Sequence, residues 1–423
     1  MYEVKKVFAQ VEGAIIAPNV RDAVEGLDID SDLVGPVEFY GDRFSIMPAK
    51  AVLLKAPRNT FENRLLEAHR RFLLAQGVGP TEVHYIPSAN NHSDGIVARL
   101  LALEPGELQG HISGCPLMFF MDTMDGDRVV SLAKTGKMGA EASLARRLNC
   151  KALQRRLVAD APGRIFPRHS IVSNVADMGP AYESLSDGEI VVKVPHLASG
   201  EGMVVVDSLE KATKFFQDWQ PTLAHHGFPP DIIVEQKMPL AKGNSSTSVQ
   251  FFRQGERLYF LGCSAQHMGA DGFVHEGNMA GAAIHSRIPA WVESEMLRLS
   301  SLVLDNLPEF QGFIGFDFIV TSSTQVLLTE INLRITASTI LYALMAQLGE
   351  HLSYDLRKIH VGPQPKLPVE ELFQVLSIFN KQTRKVLPLN PRLFDETGDM
   401  FLAICAPTFE EIDDARNEVL SWF

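Results

Sequence analysis

The stretch Gly312 to Thr339, GFIGFDFIVTSSTQVLLTEINLRITAST, holds two β-rich runs on either side of a short polar turn. GFIGFDFIV and QVLLTEI are separated by Thr321 to Thr324, a segment of hairpin length, so pairing of the strands brings Asp317 towards Glu330. Strand side chains alternate with period two, which sets Glu330, Asn332 and Arg334 on one face. Two carboxylates and an amide oxygen are hard ligands of the kind Mg²⁺ takes, with water and phosphate completing its octahedron. Arg334 adds a fixed cation able to hold a phosphoryl or carboxylate oxygen at two points. A lone Asp or Glu on a hairpin is more often a solvated charge. The combination points to a site, and the rest of the chain must then supply a place for phosphate.

A chain of 423 residues is long enough for two or three domains and a large core. With 21% charged and 46% hydrophobic residues it reads as an ordinary globular protein. The net charge of −12, with no basic block beyond pairs such as Arg70-Arg71 and Arg155-Arg156, argues against a nucleic-acid partner. Cys115, Cys150, Cys263 and Cys405 are widely spaced with no CxxC, which indicates neither a zinc site nor a disulfide framework. MYEVKKVFAQVEG lacks an apolar h-region, and no stretch approaches the roughly 18 apolar residues of a membrane span. A cytoplasmic protein with no membrane partner is expected.

Taken in order, residues 1–115 read as a small α/β unit. GAIIAPNV and AKAVLLKAP are buried-strand patterns, and Glu82 to Ile86 is a third. Between the last two, Thr60 to Gln76 is helical, with Thr60 as cap and Gly77 as stop, which gives a βαβ unit and a parallel sheet. Asn90, Asn91 and His92 read as a surface turn. Leu117 to Met121 is a further short strand. Met138 to Ala161 is helical in pattern, and Asn149 as N-cap places Lys151 in a first turn, where free N–H groups and the helix dipole welcome an anion.

Glu189 to Val194 and Met203 to Val206 then read as paired strands around Leu197 to Gly202, a small-residue, glycine-bearing tip. Glycines let backbone N–H groups turn towards phosphate, and Lys193 can reach the same oxygens. Neither a G-x-x-x-x-G-K-[ST] loop nor a G-x-G-x-x-G opening a helix is present. Ser208 to Trp219 is an amphipathic helix, and Asp231 to Met238 a strand. Thr247 to Phe252 and Arg257 to Leu261 form a hairpin turned at Gln254-Gly255. Gly269 to Gly281, with His267, His275, Glu276 and Asn278, is too polar and long for a tight turn and suits the lining of an acceptor pocket.

Lys151 before a helix, Lys193 before a small-residue loop, the strand VEQKM, and Asp317 followed by Glu330-x-Asn332-x-Arg334 together resemble an ATP-grasp domain over roughly residues 145–340. The resemblance implies an α/β (α+β) chain. A pre-ATP-grasp domain (1–115) would be followed by a small lobe with a phosphate-covering hairpin (116–230), a large lobe with the Mg²⁺-binding strands (231–352), and a small C-terminal α/β segment (353–423). It implies that Lys151 and Lys193 contact the nucleotide phosphates while Ser199, Gly200, Glu201 and Gly202 close over them. Glu235 would meet the adenine amino group, with Gln236 beside it and Met238 giving backbone contact to the purine. Asp317, Glu330 and Asn332 would hold Mg²⁺, which Mn²⁺ can replace. Arg334 would contact the transferring phosphoryl or the acyl substrate, and Arg287 is a second candidate for such a contact. Where relatives carry an acidic residue for the ribose, this chain has Lys242 to Ser246, so that role is open between Asn244 and Ser246.

The three-part layout is similar to the pheganomycin-type peptide ligases of the superfamily. Ser338 to Leu352 is a strong helix, Val361 to Pro368 a linker, Met400 to Ala406 a strand, and Thr408 to Trp422 a helix opened by a Thr408–Glu411 capping box. The resemblance implies an ATP-dependent ligase that activates a carboxylate as an acyl phosphate and joins it to an amine. Its partners would be a small carboxylate and an amine such as an amino acid or peptide, and a homodimer is the superfamily expectation. Ester, thioester or phosphotransfer chemistry, and a silent nucleotide-binding protein, remain as alternatives.

Overall fold

The structure is a computed structural model. It describes residues 3–20, 37–87, 95–112, 114–159, 163–185, 188–196, 202–225, 227–243, 245–269, 272, 274–361 and 368–423. Ser199, Gly200, Glu201, Asn244 and Asn90 to His92 lie outside them, as does most of the linker from Val361 to Pro368.

After α1 (Val4–Val11), four short parallel strands form the first sheet. They are β1 (Ile15–Ala17), β2 (Ala51–Lys55), β3 (Glu82–Ile86) and β4 (Leu117–Phe119), in the order β3-β2-β1-β4. A 3-10 helix (Val37–Ile46) precedes β2, and α2 (Thr60–Ala75) makes the expected crossover from β2 to β3. The cap of α2 is Asn59, not Thr60: its side chain accepts from the Glu62 N–H at 2.9 Å. An Asn side chain satisfies a first-turn donor as well as a Thr would, so adjacent candidates cannot be separated by composition. Helices α3 (Ile96–Leu101) and α4 (Pro105–Ile112) lead into β4, which completes this sheet. A boundary at residue 115 therefore cuts off the last strand of the first unit.

Helix α5 (Met124–Ala133) follows, then α6 (Ala142–Leu148) and α7 (Lys151–Leu157) where one helical segment was expected. Asn149 does not cap α7. It closes α6, and its side chain bonds both backbone groups of Leu333, so a buried strand end takes precedence over the helix start. The small sheet comprises β5 (His169–Val172), β6 (Ile190–Lys193), β7 (Met203–Val206) and β8 (Ile232–Gln236), antiparallel in the order β5-β8-β6-β7. Helices α8 (Met178–Leu185) and α9 (Leu209–His225) cover it with a core of their own, including Val192, Phe216 and Ile232. Helix α9 runs past the expected end at Trp219, through Pro221.

The large sheet has eight antiparallel strands. It starts with β9 (Ser246–Gln254), β10 (Arg257–Met268) and β11 (His275–Gly281). The β9–β10 turn is Gly255-Glu256, where Gly255 takes φ +59°, the left-handed conformation a tight hairpin requires. Much of the polar run Gly269 to Gly281 is thus a strand rather than an open loop. After α10 (Ala290–Leu304) come β12 (Gly312–Val320) and β13 (Val326–Asn332), then α11 (Ala337–Leu348). Thr336 and Thr339 form a reciprocal capping box, and Ile340, Leu341, Tyr342, Leu344 and Met345 are all buried, so α11 lies inside the core.

The chain ends with β14 (Ser353–His360), α12 (Val369–Phe379), β15 (Lys385–Pro388), α13 (Pro391–Thr397), β16 (Asp399–Ala406) and α14 (Phe409–Leu420). These last strands do not form a separate segment. The order β13-β12-β9-β10-β11-β14-β16-β15 continues one sheet across residue 353, and one apolar core runs from Val4 to Val419. Thr408 caps α14 by accepting from the Glu411 N–H, which is one half of the expected box.

Candidate active site

Asp317 and Glu330, which the hairpin reading brings towards each other, are direct partners across β12 and β13. The register shifts immediately beyond them: Phe318 pairs with Leu328, and Thr329 is left over, its hydroxyl donating to the Asp317 carbonyl at 2.9 Å. Such a bulge re-aims side chains, and it sits where the acidic pair must converge. Asn332 Nδ2 donates to Asp317 Oδ2 at 2.8 Å, and Gln266 Nε2 donates to Asp317 Oδ1 at 3.0 Å. Ser246 in turn donates to Gln266 at 2.5 Å. Arg334 lies just past the end of β13, and its guanidinium rests 5.9 Å from the Phe120 ring centre.

Burial, and then the neighbouring charge of Glu330, push the Asp317 carboxyl up to about 6. Burial would raise Glu330 as well, but Lys151 and Arg334 more than offset it and hold that carboxyl below its ordinary value. Lys151 Nζ is 3.1 Å from Glu330 Oε1. Asn332 Oδ1 is buried with no hydrogen-bond partner. A pair of crowded carboxylates beside an unanswered amide oxygen is the donor set a small divalent cation satisfies, so these residues fit Mg²⁺. Among the described residues no group of three or more His, Cys, Asp or Glu forms a separate metal cluster.

A second charged group lies beside the first. Glu235, buried on β8, accepts from Lys193 Nζ at 2.6 Å and from Arg155 Nη2 at 2.5 Å. Burial alone would raise its carboxyl, yet the two cations hold it down to about 2. Arg155, fully buried on α7, also donates to the Lys151 carbonyl at 2.9 Å and stacks 4.7 Å over Phe166. It was not singled out from the sequence, since Arg155-Arg156 reads as a surface pair. The i, i+4 spacing from Lys151 is the signal that could have found it. Gly202, at φ +62°, accepts from the Val194 N–H at 2.7 Å and closes the β6–β7 pair next to Lys193. Arg164 bridges Gln236 Oε1 at 3.1 Å and Met238 Sδ at 3.5 Å.

The structure thus brings Lys151, Lys193, Glu235, Asp317, Glu330, Asn332 and Arg334 into one neighbourhood. It also adds Arg43, from the 3-10 helix. Its guanidinium lies 5.7–5.9 Å from the rings of Tyr40, Phe44, Phe120 and Phe401. Burial, with Arg334 nearby, lowers it to about 10, and no carboxylate pairs with it among the described residues. Arg287 is elsewhere. It lines a cleft with His267 and Arg357. His267 follows Gln266 on β10, and successive strand side chains point to opposite faces, so Arg287 lies behind the sheet that carries Asp317.

Residues 174–338 match the model of an ATP-grasp domain. No curated protein matches the chain. Among solved structures, N5-carboxyaminoimidazole ribonucleotide synthetase with ADP superposes with TM-score 0.58 at 12% identity, covering 97% of this chain and 96% of that one. Biotin carboxylase from Campylobacter jejuni gives 0.61 at 10% identity, covering 94% and 88%. L-amino acid ligase from Bacillus licheniformis gives 0.55 at 13% identity, covering 96% of each. The matched segment contains the β6–β7 hairpin, β8 and the acidic pair of β12 and β13, so residues 174–338 are similar to an ATP-grasp domain and the chain as a whole shares the fold of these structures.

Proposed function

We propose that the protein is an ATP-dependent ligase that activates a substrate carboxylate as an acyl phosphate, releases ADP and phosphate, and joins the acyl group to an amine as an amide or peptide bond. The observation that carries this reading is the Asp317–Glu330 pair with the unanswered Asn332 oxygen, flanked by Lys151 and Arg334. Carboxylate is a poor electrophile and is repelled by an anionic phosphate chain, so cations must converge where the two meet. L-amino acid ligase, by its name, supports the amide outcome.

Lys151 and Lys193 hold phosphate oxygens. Lys193 spends one of its three donors on Glu235, which leaves two for the nucleotide. Each Glu235 oxygen likewise keeps a lone pair for the adenine amino group, and Met238 contributes backbone contact to the purine. Asp317, Glu330 and Asn332 would hold Mg²⁺, or Mn²⁺ as a substitute, which would supply neutralisation of phosphate charge. Arg334 holds the reacting carboxylate, and Arg43, across the Phe120 ring, adds a second guanidinium for the acyl donor. Phe120, Phe401 and Tyr40 wall that pocket and keep water from the activated acyl group.

The test is incubation with Mg-ATP, a panel of amino acids and small carboxylates, and hydroxylamine, with ADP and hydroxamate both assayed. Hydroxamate that appears with ADP, and disappears in Glu330→Ala, is the expected result. AMP as product would exclude the acyl phosphate route. ADP with an ester, a thioester or a stable phosphorylated carboxylate would move the protein to the alternative ATP-grasp chemistries.

A further inference from the structure

Behind the large sheet, on the face turned away from Asp317, lies a cleft of about 320 Å³ lined by His267, Arg287, Asp355, Arg357, Asp413 and Arg416, with Phe409 on its wall. We infer that this cleft binds a compact anion bearing carboxylate or phosphate oxygens, at a site separate from the nucleotide.

Three guanidinium groups line the cleft with two carboxylates, and Glu276 lies near Arg357 beyond the lining. Asp355 is 2% exposed and already accepts from Arg416 at 2.6 Å and from His267 Nε2 at 2.7 Å. Arg357 comes no closer to it than 3.7 Å. Asp413 is engaged by Arg416 one helical turn away on α14. Arg357 Nη2 instead lies 2.9 and 2.8 Å from the two nitrogens of the His267 ring, a poor substitute for an anionic acceptor. Arg287 has no acidic partner among the described residues; it stacks 5.3 Å over Phe409, with its Nε buried and lacking an acceptor. A half-buried guanidinium with an unanswered donor carries a desolvation cost that a bound oxyanion offsets, and the planar fork suits carboxylate and phosphate alike.

The three arginines come from three distant segments: the turn before α10, strand β14 and helix α14. The fold therefore gathers the charge here rather than inheriting it from a basic run in sequence. A space of about 320 Å³ accommodates a small dicarboxylate or phosphate ester. Gln266, the donor to Asp317, is the neighbour of His267 on β10, so the anion would sit one residue along the strand from the acidic pair.

The test is calorimetric titration of the full chain with inorganic phosphate and, separately, with succinate, at constant ionic strength, with and without saturating Mg-ADP. Saturable binding of at least one probe is expected, persisting with Mg-ADP and weakened tenfold or more in Arg287→Gln. Asp413→Asn removes a competing carboxylate from a position half exposed to solvent and is expected to tighten the same binding. The stronger probe identifies the class, phosphate ester or dicarboxylate. No saturable binding of either probe, loss of binding when Mg-ADP is present, or an unchanged affinity in Arg287→Gln would each overturn the assignment. Failure of Mg-ADP itself to bind would count against the ligase reading and leaves the Arg287→Gln comparison to judge the cleft.

Discussion

Gln266 is assigned no contact with metal or nucleotide, yet it aims one oxygen of Asp317 while Asn332 aims the other. Groups that orient a metal-holding carboxylate typically contribute 10–100-fold in affinity. Gln266→Met, close in shape but without the donor, is expected to raise the Mg²⁺ concentration needed for half-maximal ADP release about tenfold or more, with little change in thermal stability. Arg43 should behave differently. Removing a charge-assisted contact costs about 1.5–3 kcal/mol, so Arg43→Met is expected to raise KM for the acyl donor roughly 10–100-fold and leave KM for ATP unchanged. An equal rise in both would place Arg43 outside the donor pocket. Glu235 carries a structural debt as well as a ligand role. Glu235→Gln leaves Lys193 and Arg155 buried against a neutral group, a change that costs roughly 3–5 kcal/mol in such sites and is read directly from the urea midpoint.

At the level of elements, β11 and β14 approach so closely that a Cβ on Gly277 would run onto the Leu356 carbonyl oxygen. Backbone cannot retreat as a flexible side chain can, so Gly277→Ala is expected to cost about 3 kcal/mol, the upper end for overpacking. The checks are the unfolding midpoint and faster amide exchange along β14. Local patterns announced most strands, because a five-residue apolar run between turn residues leaves little choice, and hairpin length brought Asp317 towards Glu330, although their direct pairing depends on the register shift at Thr329. What lay beyond them depended on distant partners. The bulge at Thr329 needs the β12 backbone to receive its hydroxyl. Asn149 reads as a cap until Leu333 claims it. Arg287 lacks the Glu-x-Asn-x-Arg setting of Arg334, and the alternation of faces along β10 is what places it behind the sheet. Arg43 and Arg155 acquire meaning only from rings and carboxylates contributed by other segments.

Across the whole molecule, the N-terminal unit and the C-terminal strands share one core, and His69 on α2 is one of the joints. Its Nε2–H donates to the Pro388 carbonyl at 2.7 Å, and the ring stacks 5.4 Å from Phe373. Burial lowers its pKa from 6.5 to about 4. The unfolded chain therefore takes up this proton below pH 6.5 while the folded one does not, so stability is complete above that pH and falls as the pH drops towards 4. The loss amounts to at most about 3 kcal/mol, and His69→Gln should flatten this part of the curve in urea titrations between pH 7 and 4. The order of strands in the large sheet also has a consequence for biosynthesis. At roughly 5–20 residues per second, β11 leaves the ribosome well before β14, the neighbour that covers its outer edge. The stretch Gly277 to Gly281, GNMAG, carries no charge to discourage a stray strand from pairing there. A nascent chain stalled before residue 353 would display that edge bare, so chaperone dependence and inclusion-body formation should track the synthesis of β14 more closely than that of the nucleotide-binding strands.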